Sequence, residues 1–211
     1  MLKLLAFSCL GAFLAGSIPF GLLLMHLAGK GDVRAQGSGN IGATNVMRAG
    51  GKGLGLATLL LDTAKGFLPV ALARAAGLGS DALPLVVLAA VAGHMFTPWL
   101  KFKGGKGVAT ALGAVLACHP AMVVPAFAVF AAVLLLSRYV SLGSVLAAVT
   151  LFLTALGLAG SWALPPQPPG TARWPGLLAW GLLVALVIAK HRANLKRLAN
   201  GTESRFWGAK P

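Results

Sequence analysis

Long apolar stretches alternate with short polar segments along the whole of this 211-residue chain. Runs of about 17–25 apolar residues can each cross a bilayer as a helix. The candidate spans are Leu2–Leu27, Leu54–Ala76, Ala82–Leu100, Gly107–Cys118, Ala121–Ser137, Tyr139–Ser161 and Trp174–Ala189. The fourth span is short, so the pattern is also compatible with five or six crossings. The sequence therefore predicts an all-α integral membrane protein, a polytopic bundle of about seven transmembrane helices in a single membrane-embedded domain over residues 1–211.

Composition agrees with a membrane protein. Hydrophobic residues make up 57% of the chain and charged residues 10%, whereas a soluble domain carries about 25% charged residues. The start of the chain resembles a signal peptide, because Lys3 precedes an apolar stretch that ends in small residues. The uncharged run continues to Lys30, which is too long for a signal-peptide core, so we expect a retained first helix.

The basic residues fall mainly on one side of the predicted bundle. If the seven spans alternate in direction, fourteen of the eighteen Lys and Arg residues lie on one side, three lie on the other, and Lys65 lies within a span. Cytoplasmic loops of membrane proteins carry such an excess of positive charge. We therefore expect the N-terminus outside, the C-terminus in the cytoplasm, and the linker "WALPPQPPGTARW" on the outer side.

Three dense polar clusters lie on the basic side, namely Ser38–Arg48, Gly93–Thr110 and Lys190–Glu203. Scattered basic residues are explained by membrane insertion and by attraction to anionic headgroups. Those two effects do not explain the three clusters, because the clusters mix basic residues with Gly, Ser, Asn, Thr and His. The mixture predicts one polyanion-binding site at the cytoplasmic membrane surface.

Familiar nucleotide and metal motifs do not account for the clusters. "GSGNIG" matches G-x-G-x-x-G, but it follows a membrane span, and Asp62, the acidic residue about 20 positions later, lies in another span, so no βαβ unit is available. "KFKGGKGVAT" lacks the first glycine and the Ser or Thr of a Walker loop. Cys9 and Cys118 stand alone in apolar segments, without metal-ligand or disulfide spacing. The sequence therefore predicts neither a metal site nor a cofactor.

The residue types in the clusters suit phosphate binding. Glycines let backbone N–H groups approach an oxyanion, and Gly104–Gly107 lead directly into a helix that begins beside Lys106. Arg48 can bind a phosphate bidentately beside the neutral side chains of the first cluster. His191 and Asn194 are spaced i, i+3, so they share one face of a helix that extends the last span.

Ionisable residues inside the predicted bundle are few. Asp62 and Lys65 are spaced i, i+3 within one span, which favours a structural ion pair facing the bundle interior over direct chemistry. His94, in "GHMFTPW", suits an interior hydrogen bond and a catalytic base about equally. Glu203 is expected to neutralise part of the basic tail.

At the level of whole motifs, the chain resembles one known family. "SGNIGATNVMR", "GHMFTPWLKFKGGKGVAT" and "KHRANLKRLANGTE" are similar to the three signature motifs of the bacterial acyl-phosphate:glycerol-3-phosphate acyltransferase family, PlsY. "LLLDTAKG" and "SRYVSLGS" resemble its secondary blocks, in the family's order. The resemblance implies a seven-helix enzyme of the bacterial inner membrane, with its active site at the cytoplasmic face.

The resemblance also implies the reaction. A member of this family transfers a fatty acyl group from acyl phosphate to the 1-hydroxyl of sn-glycerol 3-phosphate, giving lysophosphatidic acid and phosphate, the first step of phospholipid biosynthesis. It requires no acyl-CoA, acyl carrier protein, metal or covalent acyl-enzyme. The implied partners are these two substrates and membrane lipids, with no nucleic acid.

Site residues carry over from the resemblance position by position. The implied catalytic residues are Ser38, Arg48, Lys106, His191 and Asn194, of which the last four are assigned chiefly to glycerol phosphate. The implied substrate-binding positions are Ser38, Gly39, Asn40, Thr44, Asn45, Arg48, Gly104, Gly105, Lys106, Gly107, Ser141, His191 and Asn194. Further candidates are His94, Asp62, Lys65, Lys103 and Glu203.

A transporter for a phosphorylated metabolite is the alternative of a different class. Transporters bind their substrates near the bilayer midplane, often at broken helices in repeated halves. Here the polar motifs cluster on one side only, and the opposite loops are short. This sidedness favours surface chemistry on a lipid substrate over transport.

Overall fold

The computed structural model describes residues 1–160 and 174–207, and the regular secondary structure within them is entirely helical. Two short 3₁₀ turns, Val33–Ala35 and Pro98–Leu100, accompany the α-helices. The helices are α1 Leu2–Ser17, α2 Phe20–Leu27, α3 Ala43–Gly50, α4 Lys52–Ala75, α5 Leu83–Met95, α6 Val108–Cys118, α7 Pro120–Ser137, α8 Val140–Gly160, α9 Trp174–Lys190 and α10 Arg192–Ala199. The predicted all-α class is confirmed.

Five segments of the described residues are long and apolar enough to cross a membrane. A sixth is added if α9 and α10, which meet at an angle of 55°, are taken as one bent span. The remaining predicted span corresponds to α6, which has only 11 residues. The predicted outer linker and the predicted end of the sixth span, Ser161, lie outside the described residues.

The predicted first span, Leu2–Leu27, is two helices. It divides into α1 and α2 at Ile18–Pro19, because proline lacks the backbone N–H that would continue the helix. Ile18 has an extended backbone, and its carbonyl accepts the N–H of Phe20 at 3.1 Å. The break leaves this carbonyl available to a donor from another helix.

The chain forms two compact units, Met1–Cys118 and a second that begins at His119. In the N-terminal unit, α4 packs most extensively against α6, and α1 packs against α5. A side chain at Gly66 would overlap the backbone of Thr110, and one at Gly113 would overlap the backbone of Thr63. Small residues therefore bring α4 and α6 into backbone contact, as is common between membrane helices.

A small apolar cluster of the N-terminal unit lies beneath the polar segment Ser38–Arg48. Its buried members come from α2, the loop that follows, α3 and the turn Pro98–Leu100. They are Met25, Val33, Ile41, Val46 and Leu100. The polar loop is therefore held on a packed apolar base rather than extending freely.

In the C-terminal unit, α7 packs against α8, and α8 packs against α9. The surface of α7 is largely apolar and exposed, including Val124, Leu135 and Leu136. Exposed aliphatic side chains on a helix of this length suit contact with lipid chains. The short helix α10 touches both α8 and α9, which holds the polar tail against the membrane helices of its own unit.

Candidate functional site

The residues singled out in the sequence divide between the two units. The C-terminal unit contains Ser141, His191, Asn194 and Glu203, and all the others belong to the N-terminal unit. Each group has its own set of internal hydrogen bonds.

The polar loop between α2 and α3, here the first polar loop, is organised around the side chain of Asn45. Its amide nitrogen Nδ2 lies 3.1 Å from the carbonyl oxygen of Val33, 3.0 Å from that of Gln36 and 2.9 Å from that of Asn40. Its oxygen Oδ1 accepts the backbone N–H of Ser38 at 2.8 Å. Because Asn45 is 2% exposed and its polar atoms bond within the loop, it shapes the loop from below.

The loop presents its other polar residues around the start of α3, a short helix that begins after Gly42. Asn40 Oδ1 accepts the Gly42 N–H at 2.9 Å, which fixes the turn into the helix. Ser38 and Arg48 are exposed and Thr44 is half-buried. These side chains are therefore accessible to a ligand, in contrast to Asn45.

The second polar loop, which carries Lys106, folds back on the end of α5. The Gly104 N–H donates to the Met95 carbonyl at 3.2 Å, and the Gly105 N–H donates to the His94 carbonyl at 3.1 Å. A Cβ atom on Gly105 would overlap the His94 ring nitrogen Nε2. These glycines therefore permit close packing, a role that anion binding alone did not predict.

The loop then turns directly into α6. Gly107 has φ = 75°, a left-handed conformation that favours glycine, and α6 begins at the next residue. Lys106 is half-buried immediately before this helix N-terminus, while Lys103 is exposed. The sequence-predicted combination of a lysine, glycines and a helix N-terminus is thus present in one short segment.

A buried ion pair lies on α4. Lys65 Nζ lies 2.7 Å from Asp62 Oδ1, with the two side chains 3% and 2% exposed. Lys65 Nζ also donates to the Ile18 carbonyl at 2.6 Å, at the break between α1 and α2. His94 Nδ1 lies 3.8 Å from Asp62 Oδ1, so the histidine faces the same carboxylate. The structural ion pair expected from the i, i+3 spacing is present.

Glu203 is the centre of the polar group in the C-terminal unit. Its Oε1 accepts the Ser141 hydroxyl at 2.8 Å and the Asn194 amide at 2.6 Å, and its Oε2 accepts Arg197 Nε at 2.7 Å. Burial alone would raise the pKa of Glu203, but the bonds from Asn194, Ser141 and Arg197 outweigh burial and lower the pKa below its ordinary value. The carboxylate is therefore ionised at neutral pH and accepts hydrogen bonds only.

This acceptor fixes the orientation of Asn194. Because a carboxylate cannot donate, the amide must turn its nitrogen towards Glu203 and its oxygen away. Arg197 was not singled out in the sequence, although it lies on α10 one turn after Asn194. Its pairing with Glu203 confirms that this glutamate neutralises part of the basic tail.

His191 lies at the bend between α9 and α10, so the predicted continuous helix is wrong at this point. The side chain is 1% exposed. Its Nδ1 lies 2.8 Å from the Val187 carbonyl, which can accept a proton from this nitrogen. Asn194 follows in the first turn of α10 and is also buried.

Comparison with known proteins identifies the family. A model of the family described as "Glycerol-3-phosphate acyltransferase" matches residues 6–201. The chain belongs to the glycerol-3-phosphate acyltransferase family. Its curated relatives in this family include the glycerol-3-phosphate acyltransferase of Geobacter sulfurreducens, 47% identical over 196 residues, covering 92% of this chain and 94% of the relative. That of Trichlorobacter lovleyi is 48% identical, covering 93% and 94% of the two chains.

Two solved structures of this acyltransferase family have the same fold. Both are crystal structures of PlsY, an integral membrane glycerol 3-phosphate acyltransferase, and both are 41% identical to this chain. The glycerol 3-phosphate form gives a TM-score of 0.84 and covers 97% of this chain and 96% of its own. The lysophosphatidic acid form gives 0.81, with 95% and 94% covered. The chain is therefore an integral membrane member of this enzyme family, and the resemblance noted in its motifs is confirmed.

Proposed function

We propose that this protein transfers a fatty acyl group from acyl phosphate to the 1-hydroxyl of sn-glycerol 3-phosphate, releasing lysophosphatidic acid and phosphate. The observation that carries the proposal is the near-complete match to PlsY, whose structures include a glycerol 3-phosphate form and a lysophosphatidic acid form. These ligands are the acceptor and the product of the proposed reaction. The reaction uses no acyl-CoA, acyl carrier protein, metal or cofactor.

The N-terminal unit supplies the cations and the backbone donors. Arg48 and Lys106 bind the phosphate of glycerol 3-phosphate by charge-assisted hydrogen bonds. Ser38, Asn40 and Thr44, with the N–H groups of their loop, hold the acyl phosphate and polarise its carbonyl. Asn45 contributes by keeping that loop in shape, since its own amide bonds to the loop backbone.

The C-terminal unit supplies Asn194 and His191. Asn194 presents its amide oxygen, because its amide nitrogen bonds to Glu203. This oxygen suits a hydroxyl group of glycerol 3-phosphate, which needs an acceptor for its proton. His191 binds the same substrate immediately before α10. Ser141 acts through Glu203, to which its hydroxyl donates.

The chemistry requires no enzyme nucleophile, because acyl phosphate is a mixed anhydride with phosphate as a good leaving group. The 1-hydroxyl oxygen attacks the acyl carbonyl carbon, and the bond from that carbon to the phosphate oxygen breaks. The hydroxyl proton passes to a substrate phosphate oxygen. Orientation of the two substrates and stabilisation of the developing negative charge supply most of the rate.

Topology completes the proposal. The chain is one acyltransferase domain over residues 1–211 in the bacterial inner membrane, crossing it about seven times. The excess of basic residues on one side supports a cytoplasmic active site, an external N-terminus and a cytoplasmic C-terminus. Both substrates then reach the protein from the cytoplasm and the inner leaflet.

The reaction can be tested with purified protein in detergent or lipid. A long-chain acyl phosphate is supplied with and without sn-glycerol 3-phosphate, and phosphate and lysophosphatidic acid are measured together. We expect equimolar products that depend on glycerol 3-phosphate. Lys106→Ala should reduce turnover by about 10²–10³-fold, the cost of one donor to developing charge.

Lys101→Asn is the matched control, because it removes a charge from the same loop at an exposed residue. Lys101 has φ = 51°, and asparagine tolerates this left-handed conformation better than other non-glycine residues. The control should retain wild-type turnover. Folded protein that makes neither product would contradict the proposal, and uptake of glycerol 3-phosphate into vesicles would then test the transporter alternative.

A further inference from the structure

The buried ion pair on α4 supports the break in the first span. Lys65 Nζ reaches the Ile18 carbonyl at 2.6 Å while keeping Asp62 at 2.7 Å. The same ammonium group lies 5.7 Å from the centre of the Phe20 ring, at the start of α2. Lys65 therefore fixes the start of α2, the helix that leads into the first polar loop.

The carboxylate of the pair also faces the second polar loop through His94. The imidazole has one nitrogen, Nδ1, 3.8 Å from Asp62 and the other, Nε2, against Gly105. The histidine carbonyl meanwhile accepts the Gly105 N–H at 3.1 Å. The ring therefore fills the space between the buried carboxylate and the loop that carries Lys106.

We propose that Asp62, Lys65 and His94 are positioning residues that set the two polar loops of the N-terminal unit relative to each other. Lys65 holds the start of α2, which leads to the Ser38–Arg48 segment, and His94 supports the glycine loop beneath Lys106. Asp62 joins the two by facing both the ammonium group and the imidazole. This inference rests on the proposed function, because it assigns these residues an effect on glycerol 3-phosphate turnover.

The geometry favours positioning over stability alone. Buried ions are expensive to desolvate, and an ion pair can often be replaced by apolar residues without loss of stability. Here the pair contacts the break before α2 and faces the histidine on α5, and both of these elements lead into loops with candidate substrate ligands.

The test separates folding from positioning with three sets of variants. Asp62→Leu/Lys65→Met replaces the ion pair with apolar side chains of similar size. His94→Ala removes support from the glycine loop, and His94→Gln retains a polar group of similar reach. Thr58→Val is the matched control, because Thr58 is a buried polar residue of α4 whose hydroxyl donates within its own helix, to Leu54.

Thermal unfolding, kcat and the KM for glycerol 3-phosphate are measured for each folded variant. We expect the double variant to unfold near the wild-type temperature but to lose kcat/KM on the order of 10²-fold, the cost of about 1 Å of misplacement. His94→Ala should lose a similar factor, His94→Gln should recover part of it, and Thr58→Val should match the wild type. In a Lys106→Ala background, His94→Ala should cost little more, because both changes affect the same group.

Wild-type kcat and KM in the folded double variant and in His94→Ala would overturn the inference. Where the double variant does not fold, the comparison of His94→Ala with His94→Gln decides, and equal kinetics in those two variants overturns it as well. Full additivity of His94→Ala and Lys106→Ala would likewise contradict positioning through the loop. An inactive wild-type protein contradicts the proposed function itself, so the two failures are distinguishable.

Discussion

The two units organise their polar residues around different kinds of anchor. In the N-terminal unit a neutral amide, Asn45, bonds to the backbone of a loop. In the C-terminal unit a carboxylate, Glu203, bonds to the side chains of Ser141, Asn194 and Arg197. Both anchors are almost fully buried, at 2% and 6% exposure.

The difference teaches what each anchor controls. An amide can both donate and accept, so Asn45 can satisfy carbonyl and N–H groups of one loop at once. A carboxylate only accepts, so Glu203 orients every donor around it and sets which atom of Asn194 remains for a ligand. The first anchor shapes backbone and is neutral at all pH values, whereas the second orients side chains and depends on its charge.

Removing the charged anchor should have the largest effect. Glu203→Ala leaves three donors without their acceptor. We expect the free energy of unfolding to fall by about 3 kcal/mol, which is the lower end for breaking a buried charge pair, because Arg197 is partly exposed. Thermal unfolding in detergent measures this loss. Glu203→Gln is the conservative control, and an unfolding temperature equal to wild type for Glu203→Ala would refute the role of the anchor.

Placing a charge at the neutral anchor should have the next largest effect. Asn45→Asp points a carboxylate at the carbonyl oxygens of Val33, Gln36 and Asn40, which lose their donor. We expect the free energy of unfolding to fall by about 2 kcal/mol. The local loop should then become more susceptible to proteolysis. Asn200→Asp, at an exposed asparagine, makes the same chemical change and should have little effect.

Acidification should distinguish the anchors, because Glu203 can be protonated and the Asn45 amide is neutral throughout. The pKa of Glu203 is lower in the folded protein than its ordinary value of 4.5. Its stabilising contribution is therefore complete above the ordinary value and is lost as the pH falls below it and through the lower folded pKa. The unfolding temperature of the wild type should fall in that range more steeply than that of Glu203→Gln. Parallel profiles would show that Glu203 is not responsible.

The smallest effect is expected at a single donor to the charged anchor. Ser141→Ala removes one of the three bonds to Glu203 and should cost about 1 kcal/mol, because Asn194 and Arg197 still satisfy the carboxylate. Turnover should change little, since the hydroxyl acts through Glu203. A loss as large as that of Lys106→Ala would instead indicate direct contact with substrate.

The sequence correctly predicted features that depend on residues close together in the chain, namely the positions of most helices and one ion pair. Apolar runs located most of the long helices to within about two residues, as in Pro120–Ser137, because span length follows bilayer thickness. The span predicted to end at Leu100 is an exception, because α5 ends at Met95 and a separate 3₁₀ turn, Pro98–Leu100, follows. The i, i+3 spacing likewise predicted the Asp62–Lys65 pair. The break at Pro19 was missed because hydrophobicity does not change there, and α3 was missed within a glycine-rich segment.

Residue spacing could not predict contacts between residues that are far apart in the sequence. Ser141 and Glu203 are separated by 62 positions, so their bond depends on how α10 packs against α8. The packing role of Gly105 depends on His94, which lies on α5. The sequence alone predicted only that this glycine lets backbone N–H groups approach an anion. The bend at His191 was also unpredicted, because the polar spacing of His191 and Asn194 fits a straight helix equally well.

The carbonyl of Ile18 has a consequence for biosynthesis. It accepts the Phe20 N–H from within the first span, but its other donor, Lys65, lies 47 residues later in the chain. The junction between α1 and α2 is therefore synthesised before the bond that ties it to α4 can form, and we expect the relative orientation of α1 and α2 to become fixed only when α4 arrives. Asp62 travels on the same helix as Lys65 and neutralises it during insertion. The order of synthesis thus delivers the ammonium group as part of a neutral pair.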